Sequence, residues 1–369
     1  MSNVLLKKEK AENEDNIVRG FILKGEKNIG YIILPGFYTE WENEKGSSCA
    51  NDVAKEILKL KRENIEGLIL DVRYNGGGSI GEAMELTGIF IEEGPLAAIK
   101  EREGKVVTLK DPNRGTIYDG PMALLINGQS ASASEMLAAS LQDYNRAVII
   151  GSNTYGKATM QQLFPMDTIT TRVLTGGENR DVIKITVGKL YRVNGGTSQQ
   201  FGVKPDISLP DAFEGLQIGE RYEAFCLPAD SVKRNNYYKP LPSLPLKELA
   251  ISSERRIKDI QEFQVIRQIV NEQRKSLQSA TRTVPLKAEL FEKWASERIL
   301  NLELVKGESK KTSSFVAENH SADKLFLKDE YNKERNSTWL EEISRDIHIQ
   351  ETFRVLMDLK KKKKTAAKN

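Results

Sequence analysis

The sequence has 369 residues, which is enough for two domains of ordinary size. Its 55 lysine and arginine residues nearly balance 52 aspartate and glutamate residues, so it lacks the strong basic excess of a dedicated nucleic-acid-binding protein. No apolar run approaches the roughly 20 residues that a membrane-spanning helix requires. The charged start, MSNVLLKKEKAENED, contains no apolar segment of the kind found in secretory signals. We therefore expect no nucleic-acid partner, no membrane span and no signal peptide in this chain.

Cysteine and histidine are scarce. Cys49 and Cys226 are too few for a disulfide framework or a zinc site, although a single bridge between them remains open. His320 and His348 both follow the part of the chain that carries the α/β pattern, so neither a Ser-His-Asp triad nor a histidine metal site is expected within that part. We expect no metal and no cofactor. A nucleophile there would need another base, for which lysine is the usual substitute.

From residue 28 to about residue 210, short aliphatic runs alternate with amphipathic stretches. This alternation predicts an α/β fold with a parallel sheet covered on both faces. After Lys157, Ile183 and Ile185 alternate with polar residues as in a half-exposed antiparallel strand, and Gly176-Gly177 would turn its partner. The predicted strands are Ile29–Leu34, Leu68–Val72, Ala123–Ile126 and Ala147–Ile150, and the predicted helices are Asp52–Lys61, Gly81–Ile91 and Ser132–Gln142.

The composition changes after Pro210. Apolar residues from Ile257 to Val270 recur at helical spacing, and Trp339–Leu359 predicts another amphipathic helix. Between them, residues 306–338 are polar and predicted to be flexible. The basic run Lys360–Lys364 is predicted to be a solvated, disordered tail.

The segment GQSASASE, residues 128–135, follows one predicted strand and opens a helix. Ser132 lies at the helix start, where unpaired N–H groups and the positive end of the dipole favour a developing anion. However, Ser132-x-x-Glu135 is also a capping box, and the segment taken alone favours that interpretation.

Two further segments follow predicted strands. Asn75-Gly76-Gly77-Gly78 would bring backbone amides against a phosphate or an oxyanion, or would simply form a βα turn. Residues 151–158, GSNTYGKA, nearly match a P-loop, but Ala158 replaces the hydroxyl that binds Mg²⁺ and Pro165 comes too early for the following helix. Because the carboxyl ends of parallel strands share one edge of a sheet, we expect the three segments to meet.

Four strings of the sequence then point to a known family. They are LDVRYNGGG (70–78), SASASE (130–135), LQDYNRAVIIGSNTYGKATMQQ (141–162) and YRVNGGTSQQFGVKPDISLP (191–210). In content and order they resemble the carboxy-terminal processing, or tail-specific, serine-lysine peptidases. GERYEAFCLPADS (219–231) resembles the junction into the helical C-terminal domain of the long periplasmic branch.

The resemblance implies a ClpP/crotonase-like core with a parallel sheet and flanking helices, an antiparallel hairpin after the catalytic lysine, and a mainly α-helical C-terminal domain. The corresponding domains are an N-terminal remnant over residues 1–27, a catalytic core over 28–210, and a helical domain with the disordered tail over 211–369. Residues 1–27 could hold only the end of a PDZ region or a linker, so we expect this chain to be either a fragment of a longer protein or a naturally shortened member without most of the recognition domain.

The resemblance also implies roles for individual residues. Ser132 matches the nucleophile and Lys157 the general base, and Gln161 matches a glutamine that orients the lysine. The amides of Ala133 and of Gly76 or Gly77 match the oxyanion hole. The supporting positions are Glu135, Asp143 and Thr154. Asp143 lies eleven residues after Ser132, about 16 Å along a continuous helix, so a structural role fits it better than membership of a triad.

The expected activity is endoproteolysis in or near the C-terminal regions of proteins, through an acyl-enzyme. Expected partners are protein substrates with apolar C-termini, and an adaptor or regulatory protein; the expected location, by resemblance, is the periplasm or cell envelope. Two alternatives stay open. One is a non-cleaving, peptide-binding scaffold of the same fold, and the other is a P-loop-like nucleotide-binding enzyme.

Overall fold

The structure is a computed structural model that describes residues 17–39, 47–111, 113–166, 182–278, 286–305, 313–323 and 330–366. The predicted turn at Gly176-Gly177 and most of the predicted N-terminal remnant lie outside these residues.

Strands and helices of the described residues build two sheets and their covering layers. In chain order the strands are β1 Arg19–Lys24, β2 Asn28–Ile33, β3 Leu68–Asp71, β4 Pro95–Glu101, β5 Val106–Lys110, β6 Met122–Ile126, β7 Val148–Gly151, β8 Thr159–Pro165, β9 Val182–Arg192, β10 Ile207–Ser208 and β11 Val316–Asn319. The helices are α1 Cys49–Arg62, α2 Ile80–Gly88, α3 Ala133–Asp143, α4 Leu246–Lys258, α5 Gln261–Gln278, α6 Ala288–Val305, α7 Glu330–Arg345 and α8 Ile347–Ala366.

The larger sheet has the strand order β10-β7-β6-β3-β2-β1-β11. Its strands from β10 to β2 are parallel, whereas β1 and β11 join antiparallel at one edge. The smaller sheet, β5-β4-β9-β8, is antiparallel throughout. The predicted α/β class with a mainly parallel sheet, flanking helices and a helical C-terminal region is confirmed.

The two faces of the larger sheet bury different helices, because successive side chains of a strand point to opposite faces. Leu68 and Leu70 of β3 pack in one cluster with α1, α2 and α3. Ile69, between them, packs in a second cluster with Leu249 of α4, Phe263 of α5 and residues of α8. The C-terminal helices are therefore the second covering layer of the larger sheet.

The structure differs from the sequence prediction in several segments. The hairpin of β1 and β2 crosses residue 27, because the two strands pair along their whole length. Residues 306–338 were predicted to be flexible, yet β11 within them pairs with β1 and α7 begins at Glu330. The supposed disordered tail, Lys360–Lys364, continues α8 instead, since the apolar face of that helix is anchored on the sheet and lysine is a good helix former.

The predicted helix Trp339–Leu359 is interrupted at Asp346, where α7 ends and α8 begins. Strands β1, β4 and β5 were not predicted. Cys49 and Cys226 are both free thiols, so no disulfide bond joins them. Within the described ranges, every helix is too short or too polar to cross a membrane.

The packing of α8 on the sheet predicts that the C-terminal helices and the sheet unfold together. Leu356 of α8 is 1% exposed and packs in the cluster of β2 and β3. Leu356→Ala should lower the free energy of unfolding by about 2–5 kcal/mol, because it leaves a cavity in that cluster. Guanidinium denaturation followed by circular dichroism measures this change.

The matched control is Leu58→Ala, since Leu58 is 50% exposed on α1 and should cost about 1 kcal/mol or less. A separate early transition in Leu356→Ala that leaves the remaining signal at the wild-type midpoint would contradict a shared core.

Candidate active site

Three serines lie between the end of β6 and the first turn of α3, and the structure distinguishes them. The hydroxyl of Ser130 donates to the carbonyl of Val72 (2.8 Å), and that of Ser134 donates to the carbonyl of Asn75 (2.9 Å). Both serines are fully buried. Ser132 between them is half-buried and has a φ of 59°, a backbone conformation that is costly for a residue with a Cβ. The strained turn leaves Ser132 as the reachable serine of the three.

The glycine segment after β3 lies directly against Ser132. A Cβ on Gly77 would come within 2.8 Å of Cβ of Ser132 and 3.0 Å of the amide nitrogen of Ala133. Gly77 also has a φ of 100°, so this close approach requires glycine at that position. The carbonyl of Asn75 accepts the N–H of Ala131 at 3.0 Å, which fixes the two loops together.

The amides of Gly76 and Gly77, both predicted as candidates for the oxyanion hole, differ in whether they already donate a hydrogen bond. The N–H of Gly77 donates to Oδ1 of Asn75 at 2.9 Å and is therefore engaged. In the part of the chain that the structure describes, the amides of Gly76 and Ala133 donate no hydrogen bond. Ala133 is the first residue of α3, where an N–H group has no partner within the helix. Gly76 and Ala133 are thus the better candidates for binding an anion.

Glu135 connects the serine segment to the lysine segment. Its carboxylate accepts four hydrogen bonds, and two of them, from the backbone N–H groups of Ser132 (2.9 Å) and Lys157 (2.8 Å), reach the same oxygen atom, Oε2. The other oxygen accepts the N–H of Gly156 (2.8 Å) and the hydroxyl of Thr154 (2.6 Å). The nucleophile and base positions predicted from the sequence are therefore held side by side by one buried side chain.

This carboxylate is in an unusual electrostatic environment. Glu135 is 1% exposed, and its burial raises the pKa of the carboxyl to about 7, against the opposing effect of its hydrogen-bond donors. Four donors fill the acceptor positions of an ionised carboxylate, whereas a protonated carboxyl would have to direct its own hydrogen toward one of them. The four-bond arrangement therefore belongs to the charged form.

Lys157 is half-buried just before β8, and its amine stands apart from acidic groups. Within the described ranges, Nζ of Lys157 forms neither an ion pair nor a hydrogen bond.

Two of the predicted residues form contacts outside the Glu135 cluster. Gln161 was expected to orient Lys157, but its amide nitrogen donates to Thr159 (2.9 Å) and Thr186 (3.3 Å), and no hydrogen bond joins Gln161 to Lys157 among the described residues. A register shift between Met160 and Gln161 interrupts the regular pairing of β8 with β9 at this point. Asp143 lies at the far end of α3 and binds Arg192 at 2.6 Å, as a structural residue would.

The P-loop-like segment cannot act as a P-loop. The residues after Lys157 form strand β8 instead of a helix, and the amides of Gly156 and Lys157 donate to Glu135. A phosphate-binding loop needs a helix N-terminus and free amides. The nucleotide-binding alternative is therefore wrong.

A small apolar cavity adjoins Ser132, and sequence reasoning did not identify it. Its walls come from β4, α3, the start of β8 and the end of β9, elements that are far apart in the sequence. The apolar side chains that line it are Leu96, Ala97, Met136, Ala139, Ala158 and Leu190. The predicted helix Ser132–Gln142 forms part of this wall, but β4 was not predicted, so no sequence signal located the cavity.

Comparisons with known proteins agree with this architecture. Residues 28–209 match the family model of Peptidase family S41, and residues 213–361 match that of the C-terminal domain of tail specific protease. The chain is 35% identical over 235 residues to the tail-specific protease of Haemophilus influenzae, which covers 63% of this chain and 32% of that protein. It is 33% identical over 199 residues to the carboxy-terminal-processing protease of Bartonella bacilliformis, covering 52% of this chain and 42% of that protein.

Among solved structures, the photosystem II D1 C-terminal processing protease is similar at 25% identity, with a TM-score of 0.43 over 53% of this chain and 48% of that one. The chain thus spans about a third of the first relative and less than half of the second. In class, it is a member of peptidase family S41. Its second segment assigns it to the tail-specific branch of that family.

The burial of Glu135 predicts that its carboxyl titrates near neutral pH. Because its pKa is raised, the charged form with four hydrogen bonds should be populated above about pH 7 and lost as the pH falls. Thr154→Val removes a hydrogen bond that favours the charged form, so the midpoint should rise further. The ¹³C chemical shift of the labelled carboxyl, assigned by its loss in Glu135→Gln, measures the midpoint.

Thr186→Val serves as the control, since that hydroxyl contacts Gln161 and lies outside the Glu135 cluster. A midpoint at or below the ordinary glutamate value of about 4.3 would contradict this prediction, because the hydrogen bonds would then fully offset the effect of burial.

Proposed function

We propose that this protein is a serine endopeptidase that cleaves proteins in or near their C-terminal regions, with Ser132 as nucleophile and Lys157 as general base. The single observation that carries the proposal is the carboxylate of Glu135, which holds the backbones of Ser132 and Lys157 on one oxygen atom. The family assignment and the free amides beside Ser132 support it.

In the acylation step, the neutral amine of Lys157 takes the proton of the Ser132 hydroxyl as the oxygen attacks the peptide carbonyl. The resulting oxyanion is bound by the amides of Gly76 and Ala133, each donor contributing about 2.7–4 kcal/mol to the transition state in comparable sites. The protonated Lys157 then gives its proton to the leaving amine, and the C–N bond breaks. In deacylation Lys157 takes a proton from water as the water attacks the ester. Lys157 then gives that proton to the Ser132 oxygen as the ester C–O bond breaks, which releases the carboxylic acid product and restores the serine hydroxyl.

The apolar cavity beside Ser132 supports a preference for an apolar side chain at the cleaved bond. Met136, Ala139 and Leu190 present hydrocarbon surface next to the nucleophile. An apolar residue buried there would leave water, and that transfer favours binding. Unstructured protein ends with apolar residues are the substrate class that fits, and by resemblance we propose that such substrates are met in the cell envelope, with or without an adaptor protein.

The dyad is tested by Ser132→Ala and Lys157→Met. Each should reduce cleavage of an unfolded protein such as reduced casein by at least about 10³-fold, because each removes a group that makes or breaks the acyl-enzyme. Cleavage is measured by fluorescence dequenching and the fold by circular dichroism.

The control is Lys189→Met, since Lys189 lies on β9 and pairs with Asp230 outside the cluster. Wild-type protein that is folded but cleaves nothing would favour a non-cleaving scaffold, and full activity in Lys157→Met would remove the lysine from the mechanism.

The role of the cavity is tested by Ala139→Leu, which fills it from α3. Peptides with valine at the cleaved position should lose at least about 10-fold in kcat/KM, whereas peptides with glycine there should change little, since about 1–3 kcal/mol separates a fitting side chain from one that does not fit. Equal losses of kcat/KM for both peptides would mean that the cavity does not bind the side chain at the cleaved position.

A further inference from the structure

Arg73 lies between two carboxylates that belong to different layers of the molecule. Its guanidinium binds Asp71 at the end of β3 through two nitrogens, at 2.7 and 3.0 Å from Oδ2. The nitrogen atom NH2 also lies 2.9 Å from Oδ2 of Asp346, between α7 and α8. Only 11% of the Arg73 side chain is exposed, so solvent screens these ion pairs far less than it screens pairs at the surface.

Asp346 performs two tasks with its two oxygens. Oδ1 accepts the backbone N–H groups of His348 (2.8 Å) and Ile349 (3.0 Å), which caps the start of α8. Oδ2 is the atom that faces Arg73. Burial opposes ionisation of Asp346, but the Arg73 guanidinium lowers the pKa of its carboxyl below the usual value. The start of α8 is thereby fixed relative to Arg73.

Arg73 in turn begins the loop that carries the glycine amides. The next residue, Tyr74, has a φ of 63° and donates its N–H to Oδ1 of Asn127 at 3.0 Å. Gly76 follows two residues later. A positive φ at a tyrosine costs energy, so the loop needs contacts on both sides to keep this shape. Asp71 anchors Arg73 from the sheet, and Asp346 anchors it from the C-terminal helices.

We propose that Asp346 is a positioning residue for the reaction: through Arg73, the junction of α7 and α8 holds the Gly76 amide where it binds the oxyanion. The inference rests on the proposed function of the Ser132 site. It assigns to the C-terminal domain a direct part in the geometry of a catalytic loop from which it is far removed in sequence.

Asp346→Ser separates the two tasks of the aspartate, because serine still caps a helix but cannot pair with arginine. The matched control is Asp358→Asn, which removes a comparable contact of α8, that of Asp358 with Arg256 at 2.6 Å, where the aspartate is 27% exposed against 26% for Asp346.

Two readouts are compared in full-length protein: kcat and KM for a peptide substrate, and hydrogen exchange of the backbone amides in residues 73–78. In Asp346→Ser, kcat should fall by about 10- to 100-fold with KM changed less than about 3-fold, since misplacing an oxyanion donor affects the transition state and not substrate binding. Exchange in residues 73–78 should become at least about 10-fold faster. Asp358→Asn should change neither.

Unchanged kcat and unchanged exchange in Asp346→Ser would overturn the proposal, as would an equal loss in Asp358→Asn, which would indicate general destabilisation. If the wild-type protein cleaves no peptide, the proposed function fails, but the exchange measurement still decides whether Asp346 orders the glycine loop.

Discussion

The site depends on one buried carboxylate that is shared between two backbone segments. Glu135 belongs to the first turn of α3, yet two of its four hydrogen bonds fix residues just before β8. A buried charge is costly unless its acceptor positions are filled, and here they are filled by groups whose placement the chemistry requires. Removing any one of the four donors would destabilise the ionised carboxylate of Glu135 and would free the backbone segment to which that donor belongs. The Ser132 turn and the Lys157 segment are therefore formed together.

The C-terminal region completes the burial of the larger sheet. One face of the central strands packs on α1–α3, and the other face would expose Ile69 and Leu125 if the C-terminal helices were absent. The edge strand β11 also returns from that region to pair with β1. A sheet buried on both faces gives the strand ends a rigid base, and the loops that carry Gly76, Ser132 and Lys157 extend from those ends.

Much of this arrangement was predictable from the sequence, for identifiable reasons. The aliphatic runs of β3, β6 and β7 are continuous because both faces are buried, so they were recognisable as parallel strands. The glycines and the serine segment follow such strands directly, and chain order then placed them at one edge. The family resemblance supplied the pairing of Ser132 with Lys157.

Other features depend on contacts that no local pattern encodes. The capping box was recognised, but that Glu135 would also accept two amides before β8 was not visible in Ser132-x-x-Glu135. The helical periodicity of the sequence does not reveal the break at Asp346, because apolar residues recur at helical spacing on both sides of it. Strand β4 was not predicted because its first residues, PLAA, have a weak preference for strands. Gln161 was assigned by resemblance, and its side chain contacts Thr159 and Thr186 next to a register shift in β8.

The central claim is that the geometry built around Glu135 makes Ser132, and neither of its neighbours, the reactive hydroxyl. Peptide mapping by tandem mass spectrometry after reaction with a fluorophosphonate tests this claim most directly. The account predicts one adduct, on Ser132, which is lost in Lys157→Met and formed more slowly in Glu135→Gln. An adduct on Ser130 or Ser134, or equal labelling of all three proteins, would contradict it.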